Sequence, residues 1–192
     1  MIVRQAKVGE TLVALDGKEY SLTPDDIVIA DTQKVLSIAG VMGGLHTGVT
    51  EKTRNICFEA AVFDATSIRL TAQRLGLRSD ASTRYEKSLD PLGSERALAR
   101  AVQLLGFLGH TTTVTAGSRY LDSSQVRDIT LSVSYDFLTA RLGKKIEATE
   151  METTLTHLGF APQYTNGVFT LKVPSWRATK DVTMAEDIVE EI

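Results

Sequence analysis

Apolar residues along this chain recur in two rhythms, and the change between them organises the sequence. From residue 1 to about 60 they come in short β-branched runs. "TLVALDGKEYSL" sets Asp16-Gly17 between two such runs, the chemistry of a tight hairpin. "DDIVIAD", "KVLSIAGVM" and "RNICFEAAVF" are apolar enough for each to bury at least one face, and the spacing predicts strands, the last of them a buried one. At "DATSIRLTAQRLG" the period becomes helical, with Ile68, Ala72 and Leu75 on one side and Gly76 as the stop. "SERALARAVQLLGFLG" predicts a second helix: Ser94 as cap, a stripe of Leu98, Val102, Leu105 and Leu108, and Gly109 at the end. Strands followed by helices predict an α+β domain.

"SRYLDSSQVRD" is polar and aperiodic, and the domain boundary is expected there, dividing 1–122 from 123–192. Beyond it, "DITLSV" reads as a strand. "SYDFLTARLG" reads as a helix capped by Ser134 and ended by Gly143, and "TEMETTLTHLGF" as one opened by a Thr149/Glu152 capping box and closed by Gly159. Asn166-Gly167 between two short runs predicts a hairpin. Two helices and a hairpin in so few residues describe a small winged-helix-like α+β module.

Composition narrows the class without naming a chemistry. Hydrophobic residues are 43% and charged residues 23%, ordinary for a soluble globular chain. No apolar run approaches the roughly 20 residues of a membrane helix, and "MIVRQAKVGE" is too polar for a signal peptide. A cytoplasmic chain is expected. Cys57, the single cysteine, excludes an internal disulfide and reads as a small core residue. The net charge is −3, and the excess of acids falls in the last third, five of them in "KDVTMAEDIVEEI". No basic face dense enough for a nucleic-acid footprint stands out.

Three stretches could carry chemistry. "SIAGVMGGLHTG" is rich in glycine but has neither the dinucleotide nor the P-loop spacing. It is either a turn with a bulge or a pocket wall made of main chain. Glu59 is a carboxylate inside an apolar run, where it must be paired or face outward; it points either to solvent from an edge strand or into a pocket, to read a hydroxyl or amine. His46, His110 and His157 have no ligand spacing, and no Ser or Cys sits in a nucleophile motif. In the acidic tail, Thr183 and Glu186 suggest a capping box with a helix from about Met184. Met184, Ile188 and Ile192 would form its inward stripe, with Asp187, Glu190 and Glu191 gathered on one arc beside it. Like charges at that spacing repel, so the tail is either a solvated face or half of a cation site, of a kind that suits Mg²⁺.

Taken in order, "VRQAKVGETLVALDGKEYSL", "IAGVMGG", "ICFEAAVF", "IRLTAQRLGLRSDASTRYEKSLDP" and "VPSWRATKDVTMAEDIVEEI" resemble the beta subunit of bacterial phenylalanine–tRNA ligase over essentially the whole chain. Ser88 stands where that family usually has Gly before Leu-Asp-Pro, and Ser79 where Thr is common. The resemblance implies a longer subunit with domains on both sides. Residues 1–122 would be most of the editing domain without its first part, and 123–192 the small helix-turn-helix-like domain that follows. It implies an (αβ)2 heterotetramer with a catalytic alpha subunit, which uses ATP to charge tRNA(Phe) with phenylalanine. It further implies an editing pocket that takes tyrosine or tyrosyl-tRNA. There Glu59 would accept the phenol hydrogen bond, Gly40 and Gly43 would let the backbone close on the ring, and Ser79 and Ala81 would line the wall. A positioned water would hydrolyse the ester, with no catalytic side chain. Asp181, Asp187, Glu190 and Glu191 would belong to a Mg²⁺ site shared with the alpha subunit. The rival is a non-catalytic scaffold that binds tRNA or another subunit.

Overall fold

The computed structural model of the chain describes residues 1–108 and 128–192. They fall into two compact units whose border, like the expected one at 122/123, lies outside the described residues. So do Gly109 and His110.

The first unit is α+β. Strands β1 (Ile2–Gln5), β4 (Ile27–Ala30), β5 (Val35–Ile38) and β6 (Met42–Gly43) form an antiparallel sheet in the order β1-β4-β5-β6, while β2 (Thr11–Val13) and β3 (Glu19–Ser21) make a separate hairpin. Gly17 turns that hairpin at φ 79°, as its place after Asp16 predicts. β4 is the central run, with Val28, Ile29 and Ala30 all buried. Helix α1 (Ala65–Leu75) opens on Asp64, whose carboxylate accepts from the Ser67 amide at 2.8 Å, and closes on Gly76 in the left-handed region. Its buried side brings Ile68 against Val28, Val35, Ile38 and Val41. A short helix α2 (Asp80–Tyr85) begins at Ser79, whose side chain accepts from the Ser82 amide.

One buried acid locks α1 to the sheet. Asp26, 1% exposed, accepts from the Thr23 amide at 2.7 Å, from Thr71 Oγ1 at 2.7 Å and from the Arg74 guanidinium. A buried carboxylate needs this many donors to be tolerated. Asp26 sits in a run that reads as strand, and nothing local in the sequence marks it for this role.

Two expectations for this unit fail. "RNICFEAAVF" is not a buried strand: residues 54–63 form no ladder, and Ile56, Phe58 and Cys57 are exposed. β-branched and aromatic residues favour a strand only where another edge pairs with them, and no described strand does so. Cys57 is therefore a free surface thiol rather than a core residue. Helix α3 (Gly93–Phe107) forms, but Ser94 is inside it rather than its cap, and it buries no residue; Val102 and Leu108 of the expected stripe are exposed. Helical periodicity records which face could be buried, not whether a neighbour is present to bury it.

The second unit is a three-stranded antiparallel sheet, β7 (Thr130–Ser134), β9 (Val168–Lys172) and β8 (Ala161–Thr165), in the order β7-β9-β8, with α4 (Tyr135–Leu142), α5 (Ala148–His157) and α6 (Ala185–Glu191). Val133, Leu138, Met151, Leu155, Phe169 and Ile188 form its core. Ser134 caps α4 and Gly143 ends it at φ 67°, as expected. Asn166 and Gly167, at φ 52° and 78°, turn the β8–β9 hairpin, the geometry Asn-Gly favours. The Thr149/Glu152 box does not form, because α5 begins one residue before Thr149 and its cap is Glu147. The box at α6 is displaced by one position. Asp187, not Glu186, reaches back to the amides of Thr183 and Met184, at 2.7 and 3.0 Å. Ile188 is fully buried and Ile192 partly so, while Met184 is 54% exposed and outside the core.

Candidate functional site

The glycine loop after β5 is shaped by close approach. Gly40 has φ +64°, and a Cβ there would lie 3.0 Å from Ile68, 3.1 Å from Phe63 and 3.3 Å from Tyr85. Only glycine meets both conditions at no cost. At Gly44 a Cβ would come within 2.6 Å of the Leu36 carbonyl oxygen, whereas at Gly43 it would meet only the end of the Leu15 side chain, at 3.3 Å. The space left by Gly40 is therefore filled by the chain's own side chains. The loop turns at Gly40, and its main chain makes a wall against which Ile68, Phe63 and Tyr85 pack.

Helix α2 is fixed to that wall. Ser79 Oγ donates to the Val41 carbonyl at 2.5 Å, and the Ser79 and Ser82 side chains exchange hydrogen bonds with each other's amides. Residues 79–81 and the 40–44 loop are thus one construction, and Ser79 and Ala81 are both partly buried within it. Six residues along from Ser79, Tyr85 lies over Gly40 and against Phe63, ring centroids 5.6 Å apart. Neither aromatic stands out in the sequence, since both follow from the packing over Gly40.

Glu59 lies on the irregular segment and not on a strand. Among the described residues it has no hydrogen bond or ion pair. Loss of hydration raises its pKa, and the Tyr85 phenol is raised too, by burial first and then by the charge of Glu59. The Glu59 residue as a whole is nevertheless exposed. Water therefore still reaches the carboxylate and solvates it. Glu59 and the ring that covers Gly40 therefore feel each other electrostatically, while the carboxylate remains open to a new donor.

The four acids of the tail are placed differently. Arg177 spans two of them, donating from Nε to Asp181 and from both terminal nitrogens to Glu191, at 3.1 and 2.6 Å. Those contacts hold the guanidinium pKa well above its usual value. Asp187 is held below the ordinary carboxylate range, first by the Thr183 amide and then by that of Met184. Glu190 is exposed. Among the described residues no three His, Cys, Asp or Glu side chains converge as a metal centre requires. As placed, then, the four acids do not fit a Mg²⁺ ion: two are tied to an arginine and one to a helix end. Arg177 lies in a quoted motif yet carries no expected role; Asp181 is only four residues along, but the bidentate partner Glu191 is 14 residues away.

Comparison with known proteins bears on both units. Residues 1–109 match the B3/4 domain family, and residues 131–192 match the tRNA synthetase B5 domain. The phenylalanine–tRNA ligase beta subunit of Solibacter usitatus is 40% identical over 197 residues, covering 100% of this chain and 25% of that protein. That of Streptococcus mutans is 38% identical over 192 residues, covering 100% and 24%. The chain thus spans about a quarter of the length of the curated relatives it matches. An N-terminal fragment of the Pyrococcus horikoshii phenylalanyl-tRNA synthetase beta subunit, known from its crystal structure, aligns with 98% of this chain and 54% of that one. At 15% identity and a TM-score of 0.47 it is a distant likeness from which nothing further follows. With a B3/4 match over more than half its length and a B5 match behind it, the chain belongs to the phenylalanine–tRNA ligase beta-subunit family.

Proposed function

We propose that this chain acts as part of a cytoplasmic phenylalanine–tRNA ligase, within the beta subunit of an (αβ)2 complex whose alpha subunit uses ATP to charge tRNA(Phe). Its first unit contributes to hydrolysis of tyrosine attached to that tRNA in error. The supporting observation is the wall in which Ser79 Oγ grips the Val41 carbonyl, with Glu59 acting electrostatically on the Tyr85 ring above Gly40. A synthetic site shaped for phenylalanine discriminates poorly against one added hydroxyl, while a second site that requires the hydroxyl discriminates well. Glu59 supplies the acceptor for that phenol, Gly40, Gly43, Ser79 and Ala81 shape the surround, and a water is the nucleophile. No helix of the described residues is long and apolar enough to cross a membrane. No step is assigned to Mg²⁺, given how its expected ligands are engaged.

The scaffold reading draws on a different observation, the exposure of the apolar residues Ile56, Phe58, Val102, Phe107 and Leu108, each of them open to contact with another protein segment. One experiment separates the two readings. Glu59→Ala in the complete enzyme is expected to weaken the preference for deacylating tyrosyl- over phenylalanyl-tRNA(Phe) by roughly 1–3 kcal/mol, the loss of one hydrogen bond to a charged acceptor. Unchanged discrimination would leave only the scaffold. The chain by itself is expected to deacylate slowly, and a rate equal to that of the whole enzyme would contradict this.

A further inference from the structure

The second unit already holds a cation at its acidic motif, and that cation is a side chain. Arg177 is anchored at both ends of its residue: its amide donates to Pro174 O at 2.9 Å, and its carbonyl accepts from Val182 N at 2.8 Å. Its side chain, 22% exposed, runs past the Phe160 ring, with the guanidinium carbon 5.8 Å from the ring centroid. From there the planar fork meets both oxygens of Glu191, itself 15% exposed, and Nε meets Asp181. A bidentate pair of this kind is both strong and directional.

We infer that Arg177 is the resident counter-cation of Asp181 and Glu191 in this chain, and that a divalent ion can take these carboxylates only by displacing it. This rests on the family resemblance that assigns these acids to Mg²⁺, and it differs from that assignment in the chain alone. Mg²⁺ demands near-ideal octahedral oxygen geometry at about 2.0–2.1 Å. Oxygens held by a guanidinium are not free to swing into that geometry, and the two positive charges repel at that range. Asp187 offers at most one oxygen, because its Oδ2 accepts from the Thr183 and Met184 amides at the start of α6. Divalent-ion affinity at this motif is accordingly set by how firmly Arg177 is held. A partner that offers Arg177 another acid would open the site.

The test is a titration with Mn²⁺, whose paramagnetism broadens the amide signals of residues near it, on the intact chain and on Arg177→Gln. The chain as it stands should show no saturable broadening centred on residues 181–191 at millimolar Mn²⁺. Arg177→Gln should show it, with affinity at least tenfold higher. Trp176 emission and the circular-dichroism spectrum check that the variant is folded. If it is not, Arg177→Lys serves instead: a single ammonium cannot span both acids, so affinity should rise several-fold. Equal affinity in the original chain and the folded variant overturns the inference, as does a folded variant that binds no Mn²⁺. An unchanged Mg²⁺ content in the complete enzyme carrying Asp181→Ala and Glu190→Ala would overturn the family assignment instead, and leave the Arg177 contacts as described.

Discussion

Ser88→Gly should make the first unit more stable. Ser88 has φ +60°, a conformation that crowds the Cβ of any L-residue against the following carbonyl. It follows α2 and precedes Leu89-Asp90-Pro91, where the Asp90 side chain accepts from the Leu92 amide at 3.0 Å and fixes the next turn. The left-handed conformation costs roughly 1–2 kcal/mol per residue. Glycine removes that cost but gives the unfolded chain about 0.5–1 kcal/mol of extra freedom. The net expectation is a gain of about 0.5–1 kcal/mol, which for a unit of this size raises Tm by roughly 2–6 °C. Thermal unfolding followed by far-ultraviolet circular dichroism measures it. Trp176, the one tryptophan, belongs to the second unit, so its emission provides an internal control. Ser88→Ala separates the hydroxyl from the backbone. Among the described residues Ser88 Oγ makes no hydrogen bond, so Ala should match Ser within a few tenths of a kcal/mol. A lower Tm for Ser88→Gly would refute the argument, since it would mean that the serine side chain stabilises the turn more than the backbone strains it.

Asp26→Asn should destabilise the first unit by about 2–3 kcal/mol by denaturant titration, below the upper range for buried pairs because Arg74 is 39% exposed and can be rehydrated. The Asp26 carboxyl is pulled in two directions, burial raising its pKa and the Arg74, Thr23 and Thr71 donors lowering it, with the donors prevailing. Because the folded pKa lies below the unfolded one of about 3.9, its stabilisation is complete above pH 4 and disappears as pH falls through the folded value. Acid unfolding should therefore begin at higher pH for Thr71→Val, which removes one of those donors. Gly44→Ala should cost about 1–3 kcal/mol and Gly43→Ala clearly less, since one new Cβ meets backbone and the other a movable leucine. Equal losses would show that Leu36 can yield.

What the sequence revealed was local. The Asn166-Gly167 turn, the Ser134 cap and the Gly76 and Gly143 stops each depend on residues within one turn of themselves, so composition and spacing identify them. The larger failures required information from elsewhere in the chain. Residues 54–63 have the composition of a strand, but a ladder needs a partner, and the described sheet ends at β6. The box at α6 was misplaced by a single residue because Glu186 and Asp187 are both chemically able to cap, and only the turn of the preceding backbone selects Asp187. Asp26 and Arg177 were invisible as structural residues for the same reason. Asp26 takes donors 45 and 48 residues away, and Arg177 makes its bidentate pair with an acid 14 residues on, although its other partner, Asp181, stands at i+4.

The two candidate sites differ in what already satisfies their acids. At the tail, Asp181 and Glu191 share a guanidinium and Asp187 holds two amides, so three of the four expected ligands are already engaged through at least one oxygen. A ligand arriving there must break an existing contact, and its binding is a competition. Glu59 has no such partner among the described residues, and it bears on a phenol ring already seated over the glycine loop. A donor brought to Glu59 would therefore add a contact rather than break one. That difference in chemistry is what favours Glu59 over the tail acids in the proposed recognition of a phenol. It leaves the acids of the second unit as an internal clasp until another cation, or another acid for Arg177, is brought to them.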